Sequence, residues 1–535
     1  MDSTGTPMPR AGSREWIGLA VLALPALLIS MDMTVLYLAV PHLSADLNPS
    51  SSQLLWILDI YGFLIAGFLI TMGTLGDRIG RRKLLLIGGA AFAVASVLAA
   101  YSNSAEMLIG TRAILGIAGA TLMPSTLALI RNMFHDPAQR TTAIAIWMSS
   151  FMIGSVIGPL VGGALLENFW WGSVFLLAVP AMLLLLVTGP ILLPEYRDPN
   201  PGRLDFASVI LSLGAVIVTI YGIKEIAKDG VDGLTGLPMA AIVVGLGIGY
   251  VFTRRQRTLT DPLLDLSLFA NARFSASLGT LTLALFAMSG VFFFLAQYLQ
   301  LVIGLTPFKA GLWTLPQAGA MIVATVLTSV LAKSIRPAYL MGAGMLTAAI
   351  GLVMLAQLDG STDKTMLVLG QVFMSLGFGP TVILGLDMIV GAAPPERAGA
   401  ASAISETSQE FGFAIGVAVL GSIGTAVYRR SLDSDLPAGI PAGEASIARE
   451  TLGGALEVAQ ALPGALGPEL ATAARDAFTQ GLQVNAVIAA VLTVAAASLP
   501  VLLLRHIQPA SHAVEEVHVA ATPEVTREVA PTAYE

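Results

Sequence analysis

Long apolar stretches, each about as long as a membrane-spanning helix, follow one another along almost the whole chain. A helix needs about 20 mostly apolar residues to cross the hydrocarbon core of a bilayer, and fourteen stretches meet this criterion. They are 16–40, 53–75, 84–102, 106–131, 140–165, 172–193, 206–226, 235–253, 273–303, 308–332, 338–357, 365–391, 397–427 and 481–504. The pattern predicts an all-α polytopic membrane protein with both termini on one side.

Composition supports this fold class and excludes others. Of the 535 residues, 55% are hydrophobic and 12% are charged, whereas soluble domains carry about 25% charged residues. The chain has no cysteine, which excludes disulfides, thiolate metal sites and cysteine nucleophiles. It also lacks HExxH, GxSxG and P-loop motifs. We therefore expect neither an enzyme nor an ATP-driven pump, with no metal, organic cofactor or nucleic-acid partner.

The basic residues predict the orientation. Of the 28 Lys and Arg residues, 19 lie on the side of the termini, 8 lie on the other side and Arg112 lies within a helix. Since loops rich in Lys and Arg face the cytoplasm, both termini are predicted to be cytoplasmic. Arginine outnumbers lysine 22 to 6, a composition associated with GC-rich bacterial genomes, so we expect a multi-pass protein of a bacterial inner membrane.

A repeated glycine pattern divides the chain. GSVIGPLVGG in the fifth predicted helix and GFAIGVAVLG in the thirteenth have matching glycine spacing, Gly154 with Gly412 and Gly158 with Gly416. Such repeats are typical of transporters built from two parallel halves. The predicted domains are a cytoplasmic N-terminus (1–15), a six-helix bundle (16–193), two inserted helices with linkers (194–272), a second bundle (273–505) and a disordered cytoplasmic tail (506–535). The second bundle contains an outer loop, 428–480, predicted to carry a helix over 443–461 as a small cap or a solvated connector.

Ionisable residues inside the predicted helices are the candidate functional groups, because charges within a membrane are costly and usually functional. Those singled out are Asp32, Asp59, Arg112, Asp387, Glu406 and Glu410. Asp32, Asp59 and Arg112 lie roughly 9–13 Å below the outer ends of their helices at 1.5 Å per residue. We predict that Asp32, Asp59, Glu406 and Glu410 bind protons or cations. Arg112 is their predicted partner, and a static pair such as Asp59 with Arg112 is the structural alternative.

Aromatic residues near these acids are candidates to line a cavity and to stack on a flat cation. We assign this role to Tyr61, Trp147 and Trp313, and interpret Trp56 as an anchor at the membrane interface.

Two motifs predict conformational roles. GTLGDRIGRRK at 73–83 joins the second and third helices, and Gly73, Asp77, Gly80 and Arg81 are predicted to form a latch. Its basic residues also fit a simple topological role. GSVIGPLVGGAL at 154–165 is predicted to shape the packing between helices through a proline kink and small residues. Ordinary small-residue packing is the alternative for its Gly154, Gly158, Pro159, Gly162 and Gly163.

These motifs together resemble the major facilitator superfamily, in its fourteen-helix drug:proton antiporter branch. The two motifs above resemble the signatures of the helix 2–3 loop and of helix 5, and TRAILGIAGA at 111–120 resembles the helix 4 motif with a buried arginine. MDMTVLYLAVP at 31–41 and LWILDIYGF at 55–63 resemble bacterial quaternary-ammonium and fluoroquinolone efflux pumps. Met321 stands where some relatives carry a further acid, and AKSIRPAYLMG at 332–342 lacks the aspartate of the loop motif.

The resemblance implies a fold of two six-helix bundles plus two inserted helices. It also implies proton-coupled export of lipophilic cations by alternating access, in a functional monomer within the lipid bilayer. Uptake by proton symport, and transport or flipping of a lipid or amphipathic metabolite, remain the alternatives.

Overall fold

The computed structural model describes residues 10–197, 205–229, 236–259, 262–359, 364–393, 398–505 and 507–508. Within these ranges the chain is helical and contains no strand, and fourteen helices are long and apolar enough to cross a membrane. This confirms the predicted fold class. The predicted disordered tail lies almost entirely outside the described residues.

The first six spans form one bundle. They are α1 (Ser13–Leu47), α2 (Ser51–Ile79), α3 (Arg81–Ala100), α4 (Ala105–Met133), α5 (Pro137–Asn168) and a sixth span made of α6 (Ser173–Leu176) and α7 (Ala178–Leu192). The inserted pair is α8 (Phe206–Asp229) and α9 (Leu237–Gln256).

The second bundle repeats this arrangement with an added cap. It consists of α10 (Ala272–Gln297) with a π turn (Tyr298–Val302), α11 (Pro307–Leu312) with α12 (Leu315–Leu331), α13 (Pro337–Leu355), α14 (Thr365–Gly391), α15 (Ala398–Asp435), the cap helices α16 (Ala442–Glu450) and α17 (Leu452–Ala461), and α18 (Leu466–Leu503). We call the end of the molecule with α16 and α17 the cap face. The opposite end, where α1 begins and α18 ends, is the terminal face.

The two bundles meet near the cap face. A Cβ added to Gly163 of α5 would lie 2.7 Å from the Cα of Phe308 in α11, and one added to Gly311 would lie 2.5 Å from the carbonyl oxygen of Pro159. Nearby, Gln300 donates a hydrogen bond of 3.0 Å to the carbonyl of Leu38. These close backbone approaches join the halves at the cap face.

The glycine repeat has a structural counterpart, shifted by one helical turn from the alignment of the sequence. A Cβ at Gly154 would collide with Ser30 and the carbonyl of Leu27 in α1. In the second half, a Cβ at Gly416, not Gly412, would collide in the same way with Ser289 and the carbonyl of Phe286 in α10. In each bundle, a glycine helix therefore packs closely on the first helix.

The inserted helix α8 lies at the seam between the halves. A Cβ on Gly67 of α2 would overlap the side chain of Leu213, and Ile220 of α8 is buried in a cluster with Phe63 of α2 and Ala414 of α15. The outer helix α9 packs on α8, where a Cβ on Gly222 would meet the carbonyl of Pro238 at 2.5 Å. An element inserted in the sequence thus contacts both bundles.

The cap differs from the sequence prediction in two ways. The predicted helix over 443–461 is divided at Thr451, which has an extended backbone and whose hydroxyl accepts a hydrogen bond from the amide of Gly454. This N-cap starts α17 and ends α16. In addition, α15 runs on to Asp435 and α18 begins at Leu466, so much of the predicted loop is helical.

The cap docks on the first bundle. The Glu450 carboxylate accepts hydrogen bonds from the amide (2.9 Å) and hydroxyl (3.1 Å) of Ser51, at the start of α2. The same carboxylate pairs with Arg429 of α15 at 2.5 Å, and Arg429 also donates to the Ser51 hydroxyl. We call the group formed by Ser51, Arg429 and Glu450 the cap clasp.

Candidate functional site

Arg112 of α4 is buried in the first bundle and paired with Asp32 of α1. The side chain of Arg112 is 1% exposed, and its Nη1 lies 2.5 Å from Oδ2 of Asp32. Its Nε donates a hydrogen bond to the carbonyl of Ile57, and the guanidinium lies 4.3 Å from the centre of the Tyr61 ring. The arginine is thereby held by an anion, a carbonyl and an aromatic face.

Asp59 of α2 has a different partner, which the sequence analysis missed. Its Oδ2 lies 2.7 Å from Nζ of Lys224 in α8, and both side chains are completely buried. The ammonium lies 3.7 Å from the centre of the Trp56 ring. Trp56, which the sequence assigned to the membrane interface, therefore faces a buried cation. The suggested static pair of Asp59 with Arg112 is not the one formed.

A central cavity lies between the two bundles. Its lining includes Asp59, Tyr61 and Arg112 from the first bundle and Glu410 from α15 of the second. Tyr37 and Phe413 also line it and meet edge to face, with ring centres 6.4 Å apart. The cavity combines acidic groups with aromatic surfaces, which are the groups that bind organic cations.

Among the described residues, Glu410 is the acid of this cavity lining that forms no ion pair. Its Oε2 is buried and has no hydrogen-bond partner among the described residues. Glu406, one turn nearer the terminal face, interacts electrostatically with Arg131 of α4. Asp32 also borders a second cavity inside the first bundle, lined by Ser96 and Phe175 among others. The four predicted acids thus divide into two in ion pairs and two on α15.

The three aromatic candidates occupy different places. Tyr61 lines the central cavity. Trp147 is buried in the core of the first bundle, with no partner for its indole nitrogen within the described residues. Trp313 lies near the cap face of the second bundle, with the ammonium of Lys364 4.9 Å from the centre of its ring. The structure therefore brings Tyr61, but not the two tryptophans, into the lining described above.

The motif at 73–83 is largely helical, not a loop. α2 continues to Ile79 and α3 starts at Arg81, with Gly80 between them at φ 113°. This backbone conformation favours glycine. Arg81 pairs with Asp77 at 2.6 Å, and the amide and side chain of Arg82 contact Glu195 beyond α7. The motif is thus built into the first bundle at the terminal face.

Gly73 lies one turn earlier in α2, where a Cβ would make ordinary contact with Pro124.

The motif at 154–165 packs along α1 and reaches the second bundle. A Cβ on Gly158 would collide with Thr34, and one on Gly162 with Val35. Gly163 and the carbonyl of Pro159 face α11, as described for the contacts between bundles. Both kinds of contact need the small residues, which permit close helix approach.

Comparison with known sequences identifies the family. The model of the Major Facilitator Superfamily matches residues 22–417. The chain belongs to this superfamily. It is therefore a multi-pass membrane transporter and not an enzyme.

Three bacterial relatives are similar to this chain over most of its length and of their own. The multidrug efflux pump LfrA of Mycolicibacterium smegmatis is 47% identical over 92% of this chain and 97% of its own. The methyl viologen resistance protein SmvA of Salmonella typhimurium is 33% identical over 87% of this chain and 93% of its own. The tetracenomycin C resistance and export protein of Streptomyces glaucescens is 31% identical over 97% of this chain and 96% of its own.

Solved structures share the fold. A bacterial homologue of the human lysosomal transporter Spinster, in an inward-facing and unoccupied conformation, superposes with a TM-score of 0.64 at 18% identity, covering 93% of this chain and 99% of the other. A peptide transporter bound to sulfate gives a TM-score of 0.60 at 17% identity, covering 90% of this chain and 94% of the other. At these identities the similarity concerns the fold alone.

Proposed function

We propose that this transporter is a multidrug efflux pump that exchanges protons for lipophilic, singly charged cations across a bacterial inner membrane. It acts as a monomer, with the proton gradient as its energy source and no cofactor. The observation that carries the proposal is the buried carboxylate of Glu410, whose Oε2 has no hydrogen-bond partner among the described residues, in an aromatic-lined cavity between the two bundles. The named efflux and resistance relatives support export as the direction of transport.

The basic loops support cytoplasmic termini, as argued above. With that orientation, the terminal face is cytoplasmic and the contacts at the cap face close the outer side. The conformation described here is then closed to the outside. Export requires the contacts at the cap face, including the cap clasp, to open.

Glu410 and Glu406 are the proposed exchange groups. A carboxylate in a membrane interior takes up either a proton or a cation, because an isolated charge there is costly. A bound drug cation stabilises one of these carboxylates in its ionised form, and a proton arriving from outside neutralises that carboxylate and releases the drug. Asp32 is a second acceptor for the incoming proton: protonation breaks its ion pair with Arg112, and the proton then passes to the carboxylates of α15. The helix 2–3 motif, with Gly73, Asp77, Gly80 and Arg81, latches one conformation.

Proton flux in everted vesicles tests the proposal. Ethidium added to energised vesicles is expected to raise the pH of the acidic lumen, because each drug molecule that enters is exchanged for a proton. Glu410→Gln (E410Q) and Asp32→Asn (D32N) should abolish this change, whereas Glu457→Gln on the exposed cap surface should retain it. Further acidification would favour symport, and an unchanged response in E410Q would contradict the role of Glu410. Lipid scrambling by purified wild-type protein, without ethidium exchange, would favour a lipid substrate.

A further inference from the structure

The inserted helix α8 places a lysine against one of the acids that line the cavity. Lys224 lies where α8 packs between α2 and α15, and its ammonium contacts both the carboxylate of Asp59 and the ring of Trp56. Asp59 itself lines the cavity, and its Oδ1 has no hydrogen-bond partner within the described residues. One oxygen of this carboxylate therefore faces a cation while the other is unused.

Asp59 and Trp56 together provide the groups that recognise an organic ammonium. A carboxylate supplies the charge and an indole ring supplies the strongest aromatic surface for a cation. In this conformation the cation bound by Asp59 and Trp56 is the ammonium of Lys224. Lysine carries its charge on a flexible four-carbon stem, so its ammonium can leave the site without movement of the α8 backbone.

The ammonium of Lys224 changes the net charge that the cavity lining offers to a substrate. Arg112 neutralises Asp32 and Lys224 neutralises Asp59, whereas Glu410 of α15 forms no ion pair with any residue that the structure describes. A substrate with one positive charge can be matched by that group. A substrate with two charges separated by a rigid spacer needs a second anion, and Asp59 is the other acid among the residues that line the cavity.

We propose that Trp56 and Asp59 form a second cation subsite that Lys224 occupies as a tethered competitor, and that Lys224 thereby restricts the pump to singly charged substrates. The inference rests on the proposed function in taking the substrate to be a cation. A purely structural ion pair is the competing explanation. Both explanations expect Lys224→Met (K224M) to lose some stability, because Asp59 loses its partner, but the subsite alone predicts a gain in binding that depends on Asp59.

Equilibrium binding to the purified full-length protein at pH 8 separates the two. The probes are methyl viologen, a rigid dication, and tetraphenylphosphonium, a monocation. K224M is expected to bind methyl viologen at least about tenfold more tightly than the wild type, since one added ion contact at a cavity is worth that much. The double variant D59N/K224M should return to the wild-type value. Lys364→Met is the matched control, because Lys364 also lies over a tryptophan ring, Trp313, but outside the cavity lining.

Two results would overturn the assignment. One is a folded K224M, judged by its melting temperature, that binds methyl viologen no more tightly than the wild type. The other is a gain that persists in D59N/K224M. If K224M does not fold, D59N is compared with D59N/K224M. The ammonium of Lys224, which D59N retains, is expected to weaken tetraphenylphosphonium binding at least about tenfold relative to D59N/K224M. Equal affinities of the two variants would refute the proposal.

The binding test needs no proton gradient, which keeps it separate from the proposed function. A wild type that binds tetraphenylphosphonium without exchanging protons contradicts the exporter and leaves the Lys224 comparison valid. A wild type that exchanges protons, with K224M unchanged in binding, overturns the subsite alone.

Discussion

The buried charges beside the central cavity are arranged as two ion pairs, Asp32 with Arg112 and Asp59 with Lys224. Depth along each helix placed Asp32, Asp59 and Arg112 at one level, but depth does not say which side of a helix a residue occupies. The pairing of Asp32 with Arg112 therefore needed the structure. Lys224 was overlooked because it lies near the end of a predicted span, where lysine usually extends to the interface, yet it is buried.

The Asp32–Arg112 pair gives a prediction about stability. D32N removes the charge next to a guanidinium that is 1% exposed, and such an unpaired buried charge costs about 3 kcal/mol or more. The double variant D32N/R112M removes both charges and should recover most of that loss. Thermal unfolding of the purified variants in detergent measures both effects. Equal melting temperatures for the single and double variants would show that the unpaired guanidinium carries no such cost.

At the scale of helices, the number of spans followed from hydropathy, whereas some helix ends did not. Hydropathy detects the part of a helix within the bilayer, so it ended the thirteenth span at 427 and started the fourteenth at 481. The helices α15 and α18 continue beyond these points because their polar extensions pack against the cap, where Tyr428 donates a hydrogen bond of 2.7 Å to the carbonyl of Ala448. Burial by a neighbouring element is invisible to a hydropathy window.

The close helix pairs in the two bundles predict matched effects. Gly154→Ala and Gly416→Ala would each push a methyl group into a backbone carbonyl of the first helix of the bundle. Backbone yields less than a side chain, so each change should cost about 1–3 kcal/mol. Gly110→Ala in α4 and Gly279→Ala in α10 are the controls, because an added Cβ meets nothing within 4 Å at either site. Melting temperatures are expected to fall in the first pair and to be unchanged or higher in the second, given the helix propensity of alanine. A similar fall in all four would contradict the packing argument.

At the scale of the whole molecule, the halves are joined at one face by contacts that no local pattern reveals. Ser51 and Glu450 are 399 positions apart in the sequence, and the loop that carries Glu450 showed only helix propensity. The glycine repeat and the family resemblance predicted two halves with an insertion. They could not show that α8 lies on the seam between the halves or that the cap crosses from one bundle to the other. Both features come from tertiary packing between distant segments.

The cap clasp predicts how the outer side opens. Glu450 joins Arg429 of the second bundle to Ser51 of the first, so Glu450→Gln removes the charge on which both contacts depend. A loss of even about 1.4 kcal/mol would shift a two-state equilibrium tenfold toward the open outer side. Since the chain has no cysteine, Ser44→Cys gives a single reporter at a buried site, with the side chain of Ser44 facing Gly453 of the cap.

Labelling of this cysteine in intact cells by a membrane-impermeant maleimide should be several-fold faster with Glu450→Gln than without it. Asp433→Asn is the matched control, because it breaks the Arg449–Asp433 ion pair, which joins the cap to α15 within its own half. The control should leave labelling unchanged. Equally faster labelling with both substitutions would mean that the cap loosens as a whole. Unchanged labelling with both would mean that the glycine contacts of α5 and α11, not the cap clasp, hold the outer side closed.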